Sequence, residues 1–238
     1  MGAIYRREIG AFFTSSIAYV FLSVFYIITG FFFFLVNLGS SSADLSFVCL
    51  TMFVISILLI PLLTMRLFSE EKKQRTEQGL LTAPVPLTSI VLGKYFAALT
   101  VYAIAAAIMF LYGVLLSLFG TVAWLTLLSN FIALLFVGAA FIAVGLFISS
   151  LTENQVVAAI GGVAALLAFL LVHFASSLVG NYANLAWLQN ILTFLSFYSR
   201  YYEFTCGIFN LSSVLFFVSV AVLFNFFTVR VFEKRRWS

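Results

Sequence analysis

The chain alternates long apolar runs with short polar breaks, and each run has membrane-crossing length. A hydrocarbon core is about 30 Å thick and offers backbone groups no outside partner, so about 20 apolar residues at 1.5 Å each cross it as a helix. Six spans are predicted: Ile17 to Leu38, Leu45 to Met65, Tyr95 to Phe119, Trp124 to Ile148, Gln155 to Val179 and Val214 to Phe232. The short alternating strands of a membrane barrel do not occur in the sequence. The first run is too long for the core of a signal peptide and lacks a small-residue cleavage site, so it is expected to be retained.

The breaks carry their own patterns. Ahead of span one, Tyr5, Ile9, Phe12 and Phe13 recur at helical spacing with Arg6, Arg7 and Gly10 opposite. That arrangement predicts an elbow helix in the membrane interface, with a fraying first turn of span one as the simpler alternative. Spans four and five carry small residues four apart, Ala139 with Ala143, Ala158 with Gly162 and Gly161 with Ala165, which predicts close packing on other helices. Between spans five and six, Asn181 to Asn210 is longer than a turn requires. Its repeat of Leu185, Leu188, Leu192 and Leu195, with Trp187, Tyr198, Tyr201 and Tyr202, predicts one or two short helices dipping into the outer leaflet. They would act as a lid over an exit path or as a cap on the bundle.

One polar break dominates. The 29 residues from Arg66 to Lys94 hold eight of the chain's twenty charged residues. Glu70 to Thr82 has mostly helix-forming residues, with Gly79 the weak point, and the run from Thr82 to Pro86 stops it because proline lacks a donor and disfavours helix before it. Thr88 or Ser89 is placed to cap the next helix, with Lys94 snorkelling to the interface. Leu80, Leu81 and Val85 give the segment an apolar side suited to a partner, which a merely solvated loop would not need.

Composition agrees with this organisation: 64% of the chain is hydrophobic, 8% is charged and the mean hydropathy is +1.18. Placing both termini and the breaks after spans two and four in the cytoplasm puts eleven of the twelve Lys and Arg inside and leaves only Arg200 outside. Basic residues beside anionic lipid account for the net charge of +4, and nucleic acid is not needed. Cys49 and Cys206 both fall near outer helix ends, so a disulfide is geometrically open, though packing is the simpler reading.

The chemistry is sparse. One histidine, His173, lies in the outer half of span five, and the sequence has no HExxH motif, serine elbow or phosphate-binding loop. Catalysis within this chain is not expected, and His173 reads as hydrogen-bonded within the bundle. All eight carboxylates lie in breaks or at span ends, unlike the mid-membrane acids of ion-coupled carriers. Energy for transport would have to come from another chain.

The run MRLFSEEKKQRTEQGLLTAPVPLTSIVLGKYFAA resembles the first cytoplasmic loop of type-2 ABC exporter permeases, in particular the gliding-motility and nitrous-oxide-reductase-maturation kinds. The resemblance extends to IYRREIGAFFTSSIAYV, NLSSVLFFVSVAVLFNFF and EKRRW, nearly the whole chain. It implies a single permease domain over residues 1–238, all-α and polytopic, with both termini on the cytoplasmic side of a bacterial inner membrane. Its implied partners are ABC ATPase subunits, which carry the ATP and Mg, and a second permease copy or paralogue; no cofactor is implied in this chain. A coupling helix would fall at about Glu70 to Thr82, with Glu70, Glu71, Lys72, Thr76, Leu80, Leu81 and Pro84 meeting the ATPase. Arg75 and Gly79 depart from the family pattern of glycine and leucine. The elbow would cover Ala3 to Phe13, with Arg6 and Arg7 at the membrane interface, and the re-entrant outer helices Asn181 to Asn210. Spans two and five would line the path, with Phe53, Leu59, Val163 and Phe169 as illustrations. An ATP-independent channel or carrier, and a structural anchor of a motility or secretion assembly, are the alternatives.

Overall fold

The computed structural model describes residues 2–40, 42–74, 86–180 and 186–236, and among them every regular element is helical. In chain order these are α1 (Gly2–Thr14), α2 (Ser16–Phe33), α3 (Ser46–Thr64), α4 (Arg66–Lys73), α5 (Leu87–Ala106), α6 (Ile108–Ser117), α7 (Trp124–Leu151), α8 (Gln155–Val179), α9 (Ala186–Leu195), α10 (Phe197–Thr205) and α11 (Leu211–Arg236). Among the described residues six stretches are long and apolar enough to cross a membrane: Ser16–Leu38, Ser46–Lys73, Leu87–Ser117, Trp124–Leu151, Gln155–Val179 and Leu211–Arg235. They coincide in order and number with the six runs read from the sequence.

The boundaries shift for local reasons. Span one ends in a widened turn over Phe34–Leu38, where the Gly39 and Ser42 amides bond to carbonyls five residues back, at 2.9 and 3.0 Å. The Asn37 amide then donates to the Ser42 and Asp44 carbonyls at 2.9 and 2.8 Å, turning the chain toward α3. Span three begins at Leu87 and not at Tyr95, because Pro86 stands just ahead of the helix and its carbonyl accepts from the Ser89 amide. Thr88 and Ser89 therefore occupy the first turn and do not cap it. At the start of α8, the Asn154 side chain accepts from the Val156 amide at 2.9 Å, an ordinary N-cap.

Spans two and four form the centre: two thirds of each apolar window (67%) is enclosed, against 17% for span five. The packing is set by what stands where α7 is bare. A Cβ on Gly138 would lie 2.0 Å from the Tyr102 ring, and one on Gly145 would lie 2.3 Å from the Thr64 hydroxyl oxygen, so glycine alone lets α5 and α3 come this close. Tyr102 is fully buried, meets Phe25 of α2 edge-on at 6.5 Å and shares a 2.9 Å hydrogen bond with Ser56 of α3. One ring thus joins four spans. Of the small residues expected at helix contacts, Ala143, Ala158 and Gly162 are buried, and a Cβ on Gly162 would meet the Pro61 ring at 2.9 Å. Pro61 sits inside a continuous α3 at this contact.

At the other end, α9 and α10 lie between spans five and six and pack on the bundle. Phe197 is buried among Phe141, Phe169 and Phe217 at 4.8 to 5.6 Å, and the Tyr201 hydroxyl donates to the Cys49 carbonyl at 3.2 Å. Arg200, the one cation at this end, is held between the Phe194 and Phe216 rings at 4.5 Å each and donates to the Phe194 carbonyl. His173 shares a 3.0 Å hydrogen bond with Ser199, the role expected of it. Both cysteines are free, Cys49 buried and Cys206 exposed.

Candidate functional site

The charged residues of the opposite end converge on one point. Lys94, in the second turn of α5, is 1% exposed, and its ammonium contacts the Glu8 carboxylate of α1 at 3.1 Å and the Glu71 carboxylate of α4 at 2.8 Å. Arg7 closes the ring, reaching Glu8 at 2.5 Å and Glu71 at 3.1 Å. Hydrogen bonding to Glu8, outweighing the opposing effect of partial burial and reinforced by Glu71, raises the Arg7 guanidinium above its ordinary pKa. Two cations and two carboxylates cancel. The Phe68 ring covers the ammonium at 5.3 Å, and Phe68 itself rests on Phe232 of α11 at 4.6 Å.

Helix patterning explains why the groups meet. In α4, Leu67 and Phe68 face inward while the carboxylates lie at the margin, so the helix folds against the bundle with its acidic edge toward α1 and α5. The α1 helix approaches closely because Gly93 has no side chain: a Cβ there would meet Ile4 at 2.9 Å. Tyr5 and Thr100 share a 3.0 Å hydrogen bond beside that contact. A cavity of about 340 Å³ opens between α1 and α4 along this junction.

The same short helix is fastened on its other side. Ser149 of α7 accepts from the Phe68 and Ser69 amides at 3.3 Å each and donates to the Met65 carbonyl at 2.9 Å. Lys72 pairs with Glu153, in the connection from α7 to α8, at 3.2 Å. Arg235 of α11 donates to the Ser150 carbonyl at 2.6 Å. Through Glu71, Lys72 and the Ser149 bonds α4 is tied to α1, α5 and the end of α7, and Arg235 ties α11 to α7 at the same end.

Several sequence expectations change here. Lys94 does not snorkel: two carboxylates distant in sequence satisfy it where it is. The helix after span two starts at Arg66, four residues before the expected Glu70, because α3 runs on into α4 with only Met65 between them. Glu70, Glu71 and Lys72 each have a partner within the chain, Glu70 through Arg66 at 3.1 Å. Thr76, Leu80, Leu81 and Pro84 lie outside the described residues. Of the elbow arginines, Arg6 is exposed while Arg7 belongs to the junction. Phe53 stacks on Tyr201 at 5.1 Å inside the core, and Leu59 is buried as well. Helical periodicity places Val54, Leu58 and Leu62 on the open face of span two, so these and not Phe53 or Leu59 are the residues that span presents outward. Val163 and Phe169 are half-buried in span five.

Six apolar spans among the described residues, with a cluster of two cations and two carboxylates at one end, define a polytopic helical membrane protein. The profile of the ABC-2 family transporter proteins matches residues 37–230, and the chain belongs to that family. It is accordingly a permease component of an ABC transporter. A search of curated proteins finds no match to the chain.

Proposed function

We propose that the chain is the membrane subunit of an exporter in a bacterial inner membrane, with both termini cytoplasmic, driven by a separate ATPase subunit that carries ATP and Mg. A second permease copy or paralogue completes the translocation path. The observation that supports this most is the fastening of α4. The segment that follows it, with Thr76, Leu80, Leu81 and Pro84, is the proposed contact with the ATPase, and α4 is bonded to α1, α5 and α7 immediately before that segment. A displacement carried to α4 would reach those helices through Glu71 and Ser149. Glu70, Glu71 and Lys72 then serve as the anchor of the handle, and the apolar residues beyond them as its grip.

Span two would move with α4, since only Met65 separates α4 from α3. Its outward stripe, Val54, Leu58 and Leu62, would change its surroundings as the path alternates. Leu81→Asp is expected to release the ATPase from the purified assembly while the chain still inserts and melts normally, because a carboxylate buried against a partner costs several kcal/mol when unpaired. An ATPase that stays bound to this variant would put the contact elsewhere.

A further inference from the structure

A larger hollow than the one at the junction lies elsewhere. An apolar groove of about 780 Å³ runs between spans three, four and six, within the range of about 300 to 1,000 Å³ that holds small ligands. Phe96, Leu135, Val222 and Phe226 form its walls, and Thr88, Arg230 and Glu233 stand at the mouth, at the same end as the charge junction. One feature does not suit a plain hydrocarbon occupant. Asn225 lines the groove, is 8% exposed and donates to the Ala221 carbonyl at 2.8 Å, yet its Oδ1 has no partner. A buried acceptor left unpaired is destabilising, so the site is incomplete without a donor.

The position of Arg230 limits what brings that donor. Its guanidinium lies 4.9 Å from the Phe226 ring, leaning back along α11 toward the level of Asn225, and bonds Glu233 at 2.7 Å on its other side. Both members of that pair are exposed and so available to a zwitterion. A ligand matching the groove has a phosphate for Arg230, an ammonium for Glu233, a hydroxyl for Asn225 about one helical turn deeper and a single hydrocarbon tail. We infer that this groove binds a single-chain glycerophospholipid, a lysophosphatidylethanolamine, with its free glycerol hydroxyl donating to Asn225 Oδ1. A diacyl phospholipid has that hydroxyl esterified and would bring an acceptor to an acceptor. The site shares no lining residue with the outward stripe of span two, and it stands whether or not an ATPase drives the chain.

The test is native mass spectrometry of the purified full chain with oleoyl-lysophosphatidylethanolamine and, in parallel, dioleoyl-phosphatidylethanolamine. One lysolipid adduct per chain is expected, and Asn225→Leu and Arg230→Gln should each weaken it about tenfold. Leucine matches asparagine closely in size and Arg230 is exposed, so both variants keep the fold. Diacyl lipid bound as tightly as lysolipid, or lysolipid bound equally by wild type and variants, overturns the assignment. Adducts seen on single chains but absent from dimers would place a second copy in the groove and overturn it too.

Discussion

Replacing Lys94 by methionine should destabilise the protein by about 3 to 5 kcal/mol, the cost of removing one partner from a buried ion cluster. The ammonium is almost wholly enclosed, and its loss leaves Glu8 and Glu71 sharing Arg7 without the buried cation that joins them. Charge count makes the prediction specific. Arg7, Lys94, Glu8 and Glu71 sum to zero, and Lys94→Met leaves the cluster one charge negative. The double variant Lys94→Met with Glu71→Gln restores neutrality through the Arg7–Glu8 pair, so it should recover much of the loss. Thermal denaturation of the three proteins in one detergent measures this. A single variant as stable as wild type, or a double variant worse than the single, would show that the cluster is not held by charge balance. Beyond stability, cutting this connection should separate ATP hydrolysis from substrate movement, since α1 and α5 would no longer follow α4.

The second large effect is steric. Gly138→Ala places a methyl group 2.0 Å from the Tyr102 ring, which is fully buried and cannot swing aside without breaking its hydrogen bond to Ser56. Overpacking of a well-filled core costs about 1 to 3 kcal/mol, occasionally more, and this contact joins four spans. The same change at Gly10, where nothing lies within 4 Å of an added Cβ, should be neutral or stabilise α1 by up to about 1 kcal/mol. Melting temperatures of the two alanine variants give the comparison. Equal values would mean that α5 and α7 do not approach as described. Adding Tyr102→Leu to the Gly138 variant should return part of the loss by opening space.

These two sites also mark the limit of what the sequence discloses. Six spans were legible because apolar runs of membrane length have few other uses, and the polar break after span two stood out by charge alone. Lys94 was not legible. A lone lysine at a helix end reads as an interfacial anchor, and its actual partners, Glu8 and Glu71, lie 86 and 23 residues away. Only the packing of α1 over Gly93 brings them together. Gly138 and Gly145 are spaced by two helical turns, but the pattern of four-residue pairs drew attention to Ala139 and Ala143 instead. What makes glycine necessary is the ring of Tyr102 and the hydroxyl of Thr64, on other helices. Asn225 was visible as one amide in a phenylalanine-rich span, with nothing nearby in sequence to say that one of its lone pairs would be left over. For Phe53 the resemblance points to a span and not to a helix face, and the phase that turns this ring inward becomes clear only from its neighbours Tyr201 and Phe141.

We propose that a nucleotide-driven partner acts on this chain through the segment following α4. The most direct measurement is photo-cross-linking in native membranes from a reactive residue placed at Lys73, which is exposed at the end of α4, and at Leu81. Capture of a nucleotide-binding subunit from both positions, and none from the exposed Cys206 position at the opposite end, is the predicted result. An intact, transporting assembly from which neither position captures such a subunit would contradict the account.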